Sequence, residues 1–556
     1  MSAELFAALR SFSRSFVWFG AASAAFFLVA GLLLEDPHLM VVGVCAQFLA
    51  NIAFALRELR TRILFLFLHF GIFLFWLTRP TIGICYGTEA WLGDTWDVTV
   101  FTFMIIYFTM AFLLAGSYCY SQRKAFRRPS LTLSALNPPA RHGKAKPPLA
   151  EGFESSAFLH AVRVSAFAVF ALCCAFAFVH GVQLLSYMSG RVYEEYYLVD
   201  SSGYSSSLVS SLAGMTVYAL GVYLATMPKR RPATVALLLF VATTLPELVI
   251  GARGSFAMAA LFLVFYYLFR QQVSKDEQWI TRTMAIVFLI ALPLGIVGLG
   301  IVNYTRAGSD FRPENLLLQF ADTLYKQGVT FKTLQYGYEV NDSIQALGPR
   351  FYLLGGLIDS VTQGFIGQQF LGCELYPAGN NLRLALNGSQ YAHAMSAFAH
   401  PNYLGGEGYG SAYVLEAYAD LGMGGVLLVS FGLGFVFAAV SGSMGRRFFP
   451  TLLGVMAGYS VFHMARGSAL EWAGFLWSTR FWLTLVLILA FAYVLSSFSG
   501  NLFAASGPPV IPRPGPDDKG GAPPCARFPE ACFSVAPGKG LRAVNRDMER
   551  RKAEDL

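Results

Sequence analysis

Residues 233–269 read ATVALLLFVATTLPELVIGARGSFAMAALFLVFYYLF. Two apolar runs, Ala233–Ile250 and Ser255–Phe269, are joined by Gly251-Ala252-Arg253-Gly254-Ser255. Each run approaches the length that crosses a bilayer as a helix, and five residues leave room only for a tight turn. An arginine held so close to hydrocarbon is costly, and it is retained for a partner or an anionic ligand. A link of the same kind, Ala465-Arg466-Gly467-Ser468, follows a later apolar run.

Working outward, the same pattern predicts further helices at Ser15–Leu34, His38–Leu56, Ile63–Thr78, Asp97–Tyr118, Val164–Met188, Leu208–Met227, Met284–Val302, Val414–Ser441, Leu452–Ala465 and Gly474–Phe498. The fold class is therefore an all-α polytopic membrane protein with about twelve transmembrane helices. Of the 556 residues, 55% are hydrophobic and 13% charged, against about one quarter charged in a soluble domain. The formal charge of +8 is spread over loops between alternate apolar runs, which argues against a nucleic-acid surface and follows the positive-inside rule. With the N-terminus in the cytoplasm, the inside loops hold Arg10 and Arg14, Arg57 to Arg62, the stretch Arg123–Lys146, Lys229 to Arg231, Arg270 to Arg282, and Arg446 with Arg447. A bacterial inner-membrane protein with both termini cytoplasmic is expected.

Four regions follow. Residues 1–302 carry nine helices, with a basic cytoplasmic loop at 119–150; 303–410 form a periplasmic insertion, or lid; 411–499 carry three helices; 500–556 form a Pro/Gly-rich and then charged tail, expected to be disordered. In the insertion, Arg312-Pro313-Glu314-Asn315 suits a helix start, Leu316 to Leu324 give it an apolar face, and Gly328 suits its stop. Phe351–Ile358 is a second apolar stretch, lying along the membrane or under the lid. The eight cysteines show no CxxC spacing, and no cofactor or metal is expected. A disulfide between Cys85 and Cys373, both in outside segments, is open. Glu35-Asp36 reads as a helix linker more readily than as a metal pair.

The insertion also carries Arg306, Arg350, Arg383, His393, His400 and Glu407. A cationic site at membrane depth under a polar lid suits a lipid-linked pyrophosphate. The densest pattern runs Ala399-His400-Pro401-Asn402-Tyr403-Leu404-Gly405-Gly406-Glu407-Gly408-Tyr409-Gly410-Ser411 into Tyr413 to Gly425. Its glycines allow sharp turns and close approach to a ligand. Glu416 and Asp420 share a helix face. Tyr409, Tyr413 and Tyr418 read as an interfacial belt, or as stacking platforms for sugars.

Gly410-Ser411 to Glu416, then Tyr418-Ala419-Asp420-Leu421-Gly422 and Gly425, resembles the signature of the Wzy-type O-antigen polysaccharide polymerases, and the Arg253 turn resembles that family's arginine turn. The resemblance implies a GT-C-like architecture. It also implies a glycosyltransferase that moves a growing glycan from undecaprenyl pyrophosphate onto a fresh lipid-linked repeat unit at the periplasmic face. Expected partners are that lipid-linked substrate and membrane lipids, with a polysaccharide chain-length regulator as a further candidate. The related ligases carry a His-Asn pair directly before a similar helix; here the nearest is His400-Pro401-Asn402, farther upstream. A pyrophosphate leaving group asks for forked cations, and Arg253, Arg306, Arg466 and Arg383 are the substrate-binding candidates. An acceptor hydroxyl asks for a base, and His400, Glu407 and Glu416 are the catalytic candidates, Glu416 also suiting a role in orienting arginines. Glu247 is expected to partner an arginine within the bundle. A ligase and a flippase of lipid-linked sugars are the alternatives; a flippase would show repeat symmetry and charge spread through both halves.

Overall fold

Asp36-Pro37-His38 ends one helix and starts the next: the Asp36 carboxylate accepts the His38 backbone N–H at 2.8 Å, and Pro37 occupies the first turn, where no donor is needed. The acid is thus an N-cap. In this computed structural model the described residues are 14–126, 157–191, 203–288 apart from 275 and 276, the single positions 295 and 298, and 316–505 apart from 378. Among them all regular structure is helical. Ten helices are long and apolar enough to cross a membrane. They are α1 (Arg14–Leu33), α2 (Pro37–Arg57), α3 (Leu59–Tyr86), α4 (Trp96–Phe126), α5 (Ala157–Met188), α6 (Ser207–Ala225), α7 (Arg230–Val249), α8 (Gly254–Val273), and, beyond the insertion, α12 (Tyr413–Ser443) and α14 (Thr479–Ala505). The insertion contributes α9 (Leu316–Gln327), α10 (Thr330–Glu339) and α11 (Tyr391–Ala399), and α13 (Phe448–Ser460) is a shorter apolar helix. The chain is an all-α, multi-pass membrane protein. Most of the span expected at Met284–Val302 lies outside the described residues, as do Arg10, most of Arg123–Lys146, Arg306, the helix start at Arg312, and the tail from 506.

In lipid, helices gain little from burying apolar surface, so close packing at small residues does the work. The pairing of α4 with α12 shows it. A Cβ on Gly116 would collide with the Phe431 carbonyl, and one on Gly434 with the Leu113 carbonyl. Reciprocal glycines therefore let the two backbones touch. One polar cluster inside the bundle is joined locally: Gln47 donates to Asn51 at 2.9 Å, and the Asn51 amide contacts His69 Nε2 and the Met110 carbonyl, both at 2.8 Å.

Three expectations change. First, α3 continues through Arg79 to Tyr86 and includes a π-helical turn, Phe73–Leu77, so Arg79 is helical, with its guanidinium 5.1 Å from the Tyr325 ring. Secondly, the segment around Arg466 is not a tight link like that at Arg253. The helix before it ends at Ser460, residues 463–466 and 471–477 form 3₁₀ turns, and α14 begins only at Thr479. Irregular backbone at this depth persists only where protein satisfies it. Here Glu416 accepts the Ala469 N–H at 2.8 Å and Ser460 donates to the Glu471 carbonyl at 3.1 Å. Thirdly, Cys85 and Cys373 are free thiols, without the disulfide left open above.

Candidate functional site

The site is built where the turn 400–411 meets the segment 463–471. His400 follows the last residue of α11, with extended backbone that turns the chain away from the helix. Its Nδ1 accepts the Asn402 backbone N–H at 3.2 Å, and its Nε2 lies 3.4 Å from Glu407 Oε2. Asn402 Nδ2 donates to the other carboxylate oxygen, Glu407 Oε1, at 3.0 Å. Asn380 Nδ2 ties the turn to the insertion by donating to the Tyr403 and Glu407 carbonyls, both at 2.9 Å. The His400 side chain is 16% exposed and that of Glu407 44%. The histidine is therefore covered while the carboxylate is presented.

The His400 ring packs on Tyr409 at 4.7 Å, and Tyr409 stacks on Tyr336 of α10 at 4.7 Å. Burial, and then the adjacent Tyr336 phenol, pushes the Tyr409 hydroxyl up to about 12, so it stays protonated beside Glu407. Gly410 follows with φ +78°, a conformation costly for other residues, and its open side faces the Arg466 side chain. Arg466 is half-buried, with its guanidinium 6.0 Å from the Phe75 ring. Phe75 lies in the π-helical turn of α3; Trp76, beside it, donates to the Ala465 carbonyl at 2.6 Å. Such turns redirect side chains inside a helix, and here two aromatic rings are aimed at the arginine segment.

A second acid–histidine pair lies on that segment: His463 Nδ1 and Glu471 Oε1 are 2.7 Å apart, and the His463 ring meets Phe75 edge-on. Sequence reasoning passed over both residues. The available signal was His463 three positions before Arg466, on the same side of a helical turn. It also passed over Tyr336, whose role depends on long-range packing, and named Asn402 only as part of a displaced His-Asn pair, without the turn geometry that sets it on Glu407.

Glu416 has a different place. It is 3% exposed, and it accepts from Ser411 Oγ at 3.3 Å and from the Ala469 N–H. Asp420, one turn on, accepts the Tyr352 and Leu353 N–H groups, each at 2.9 Å. The two carboxylates pin two separate loops to the start of α12, ahead of a break at Gly422. Tyr413 is fully buried 6.1 Å from Trp76, so it is neither a belt residue nor a sugar platform. Arg383 is mostly exposed and pairs with Glu374. Arg253 is half-buried at the start of α8, where the turn closes through Ala252 N–H to the Glu247 carbonyl at 2.8 Å. Tyr459 of α13 is half-buried and meets Phe240 and Phe262 edge-on. The turn carrying His400 and Glu407 thus meets Arg466 through Gly410, and Glu416 ties Ser411 to Ala469; Arg253 lies on a separate turn, Arg383 pairs with Glu374, and Arg306 is not described. Among the described residues, no three His, Cys, Asp or Glu side chains converge as a metal site requires.

The family model described as O-antigen polysaccharide polymerase Wzy matches residues 16–497. No curated protein and no solved structure matches the chain.

Proposed function

Because the chain belongs to the O-antigen polysaccharide polymerase Wzy family, we propose that it joins lipid-linked oligosaccharide repeat units, as a glycosyltransferase working at the periplasmic face of the inner membrane. The observation that carries this reading is the turn that presents the hydrogen-bonded Glu407 carboxylate and, three residues on at Gly410, packs against Arg466. In the reaction, the bond from the donor sugar's anomeric carbon to the lipid pyrophosphate breaks. A bond forms from that carbon to a hydroxyl of the acceptor unit. The hydroxyl proton passes to Glu407 Oε, and the bonding pair leaves with the pyrophosphate.

His400 is assigned as a positioning residue. Its one neutral-state lone pair is engaged by the Asn402 N–H, so Nε2 carries the proton and faces Glu407. Arg466, and with it Arg253, is assigned to meet charge developing on the pyrophosphate. Glu416 holds Ser411 and Ala469 so that the Glu407 turn and the Arg466 segment keep their register. Arg306 and Arg383 are proposed to serve substrate entering from the insertion side. A chain-length regulator is proposed as a partner of the finished complex.

The test is purified protein in lipid nanodiscs supplied with lipid-linked repeat units. The expected product is a ladder of joined units together with free lipid pyrophosphate. Unjoined units, with glycan instead moved to a lipid A-core acceptor, would mean a ligase. Movement of units across vesicles without any joining would mean a flippase.

A further inference from the structure

On the insertion side of the fold, a cavity of about 400 Å³ is lined by Val98, Tyr338, Glu339, Asn341, Asp342 and Tyr418, within the range of about 300–1,000 Å³ usual for small-ligand sites. None of these residues takes part in the reaction assigned above. We propose that this cavity is a saccharide subsite, which holds an uncharged segment of the glycan chain while its end is being extended.

The chemistry of the lining fits a sugar. Tyr338 stacks on Phe101 at 4.4 Å, and Phe101, itself 8% exposed, meets Tyr418 edge-on at 4.8 Å. A buried ring thus locks two half-buried tyrosines, giving apolar platforms that need no ordering when a sugar ring lies against them. Beside them, the exposed Glu339 and Asp342 offer carboxylate oxygens that accept from sugar hydroxyls. The same two charges repel a uronate. Asn341 keeps its amide oxygen buried without a hydrogen-bond partner at the cavity wall, an unmet acceptor that is costly to leave so.

Position supports the same use. Tyr336 and Tyr338 are two residues apart on α10, so they point roughly 200° apart around the helix. The first stacks on Tyr409 beside His400, and the second faces the cavity. A glycan with one end at Glu407 would pass around α10 to reach the cavity.

The inference rests on the polymerase reading, and one preparation separates the two. Full-length protein in nanodiscs is titrated calorimetrically with delipidated surface polysaccharide from the producing strain, and the same batch is assayed for joining of lipid-linked units. We expect binding that weakens at least tenfold in Tyr418→Ala and in the double variant Glu339→Gln/Asp342→Asn, and is largely kept in Tyr418→Phe. Glu407→Gln is expected to bind the polysaccharide like the wild type. Equal binding by the wild type and the cavity variants, at unchanged melting temperature, overturns the subsite. So does joining activity with no polysaccharide binding. Binding that depends on the cavity without any joining supports the subsite and counts against the polymerase.

Discussion

A neutral imidazole has a single lone pair, and in His400 that lone pair already meets the Asn402 amide. The carboxylate it faces has free acceptor capacity and nearly three times the exposure. The acceptor proton is therefore expected on Glu407, and Glu407→Gln should slow joining by about 10²- to 10⁴-fold, measured as turnover of lipid-linked units at a fixed protein level. His400→Gln can still donate to Glu407, so it should retain clearly more rate than His400→Leu. Equal rates in that pair would leave His400 with a packing role only. At Arg466, lysine keeps the charge and loses the fork. Arg466→Lys is expected to lower turnover about 10²-fold while the protein reaches the membrane at normal levels. Wild-type activity in both Arg466→Ala and Arg253→Ala would remove the two arginines from the site.

Within the insertion, α11 is joined to the turn after it. His393 on α11 lies 3.0 Å from the Tyr403 hydroxyl through Nδ1, and burial pushes it down, with Asp359 opposing in part. The unfolded chain, with an ordinary histidine near 6.5, then takes up a proton before the folded one does. Stability is thus full above about 6.5 and declines as the pH falls below it. Protease digestion of the insertion should accelerate between pH 7.5 and 5, and His393→Gln should flatten that rise. An unchanged pH profile in the variant would mean that other groups govern it. The π-helical turn in α3 has a comparable role on the membrane side, since it brings Phe75 and Trp76 to the Arg466 segment.

Across the whole molecule, the proposed chemistry requires the insertion and the starts of α4 and α12 to share one side of the membrane. We propose that this side is the periplasm, because the loops at the other ends of the helices are basic and basic loops favour the cytoplasm. Reporter fusions after Arg128 and after Gly500 should score cytoplasmic, and one after Ser343 periplasmic. A periplasmic score at Gly500 would overturn the helix count, and a cytoplasmic score at Ser343 would move the Glu407 turn away from the substrate's face.

The helical spans were legible because apolar length and loop charge are local quantities that the bilayer reads directly. Ten described spans fall where the apolar runs are. The family, too, was legible, from Gly410-Ser411 to Gly425, and the structure supplies a physical reason: Glu416 and Asp420 in that stretch pin two loops to α12. What only the tertiary structure decided was which charged residues meet. Glu416 looked like a catalytic group by type and position, yet it is enclosed and occupied by two donors. Arg466 looked like a twin of Arg253, yet it sits in an irregular segment held by residues more than fifty positions away. His463 and Glu471 carried little signal until the fold set them beside Phe75. A side chain's availability to substrate depends on which donors and surfaces arrive from distant segments, and no local pattern encodes that arrival.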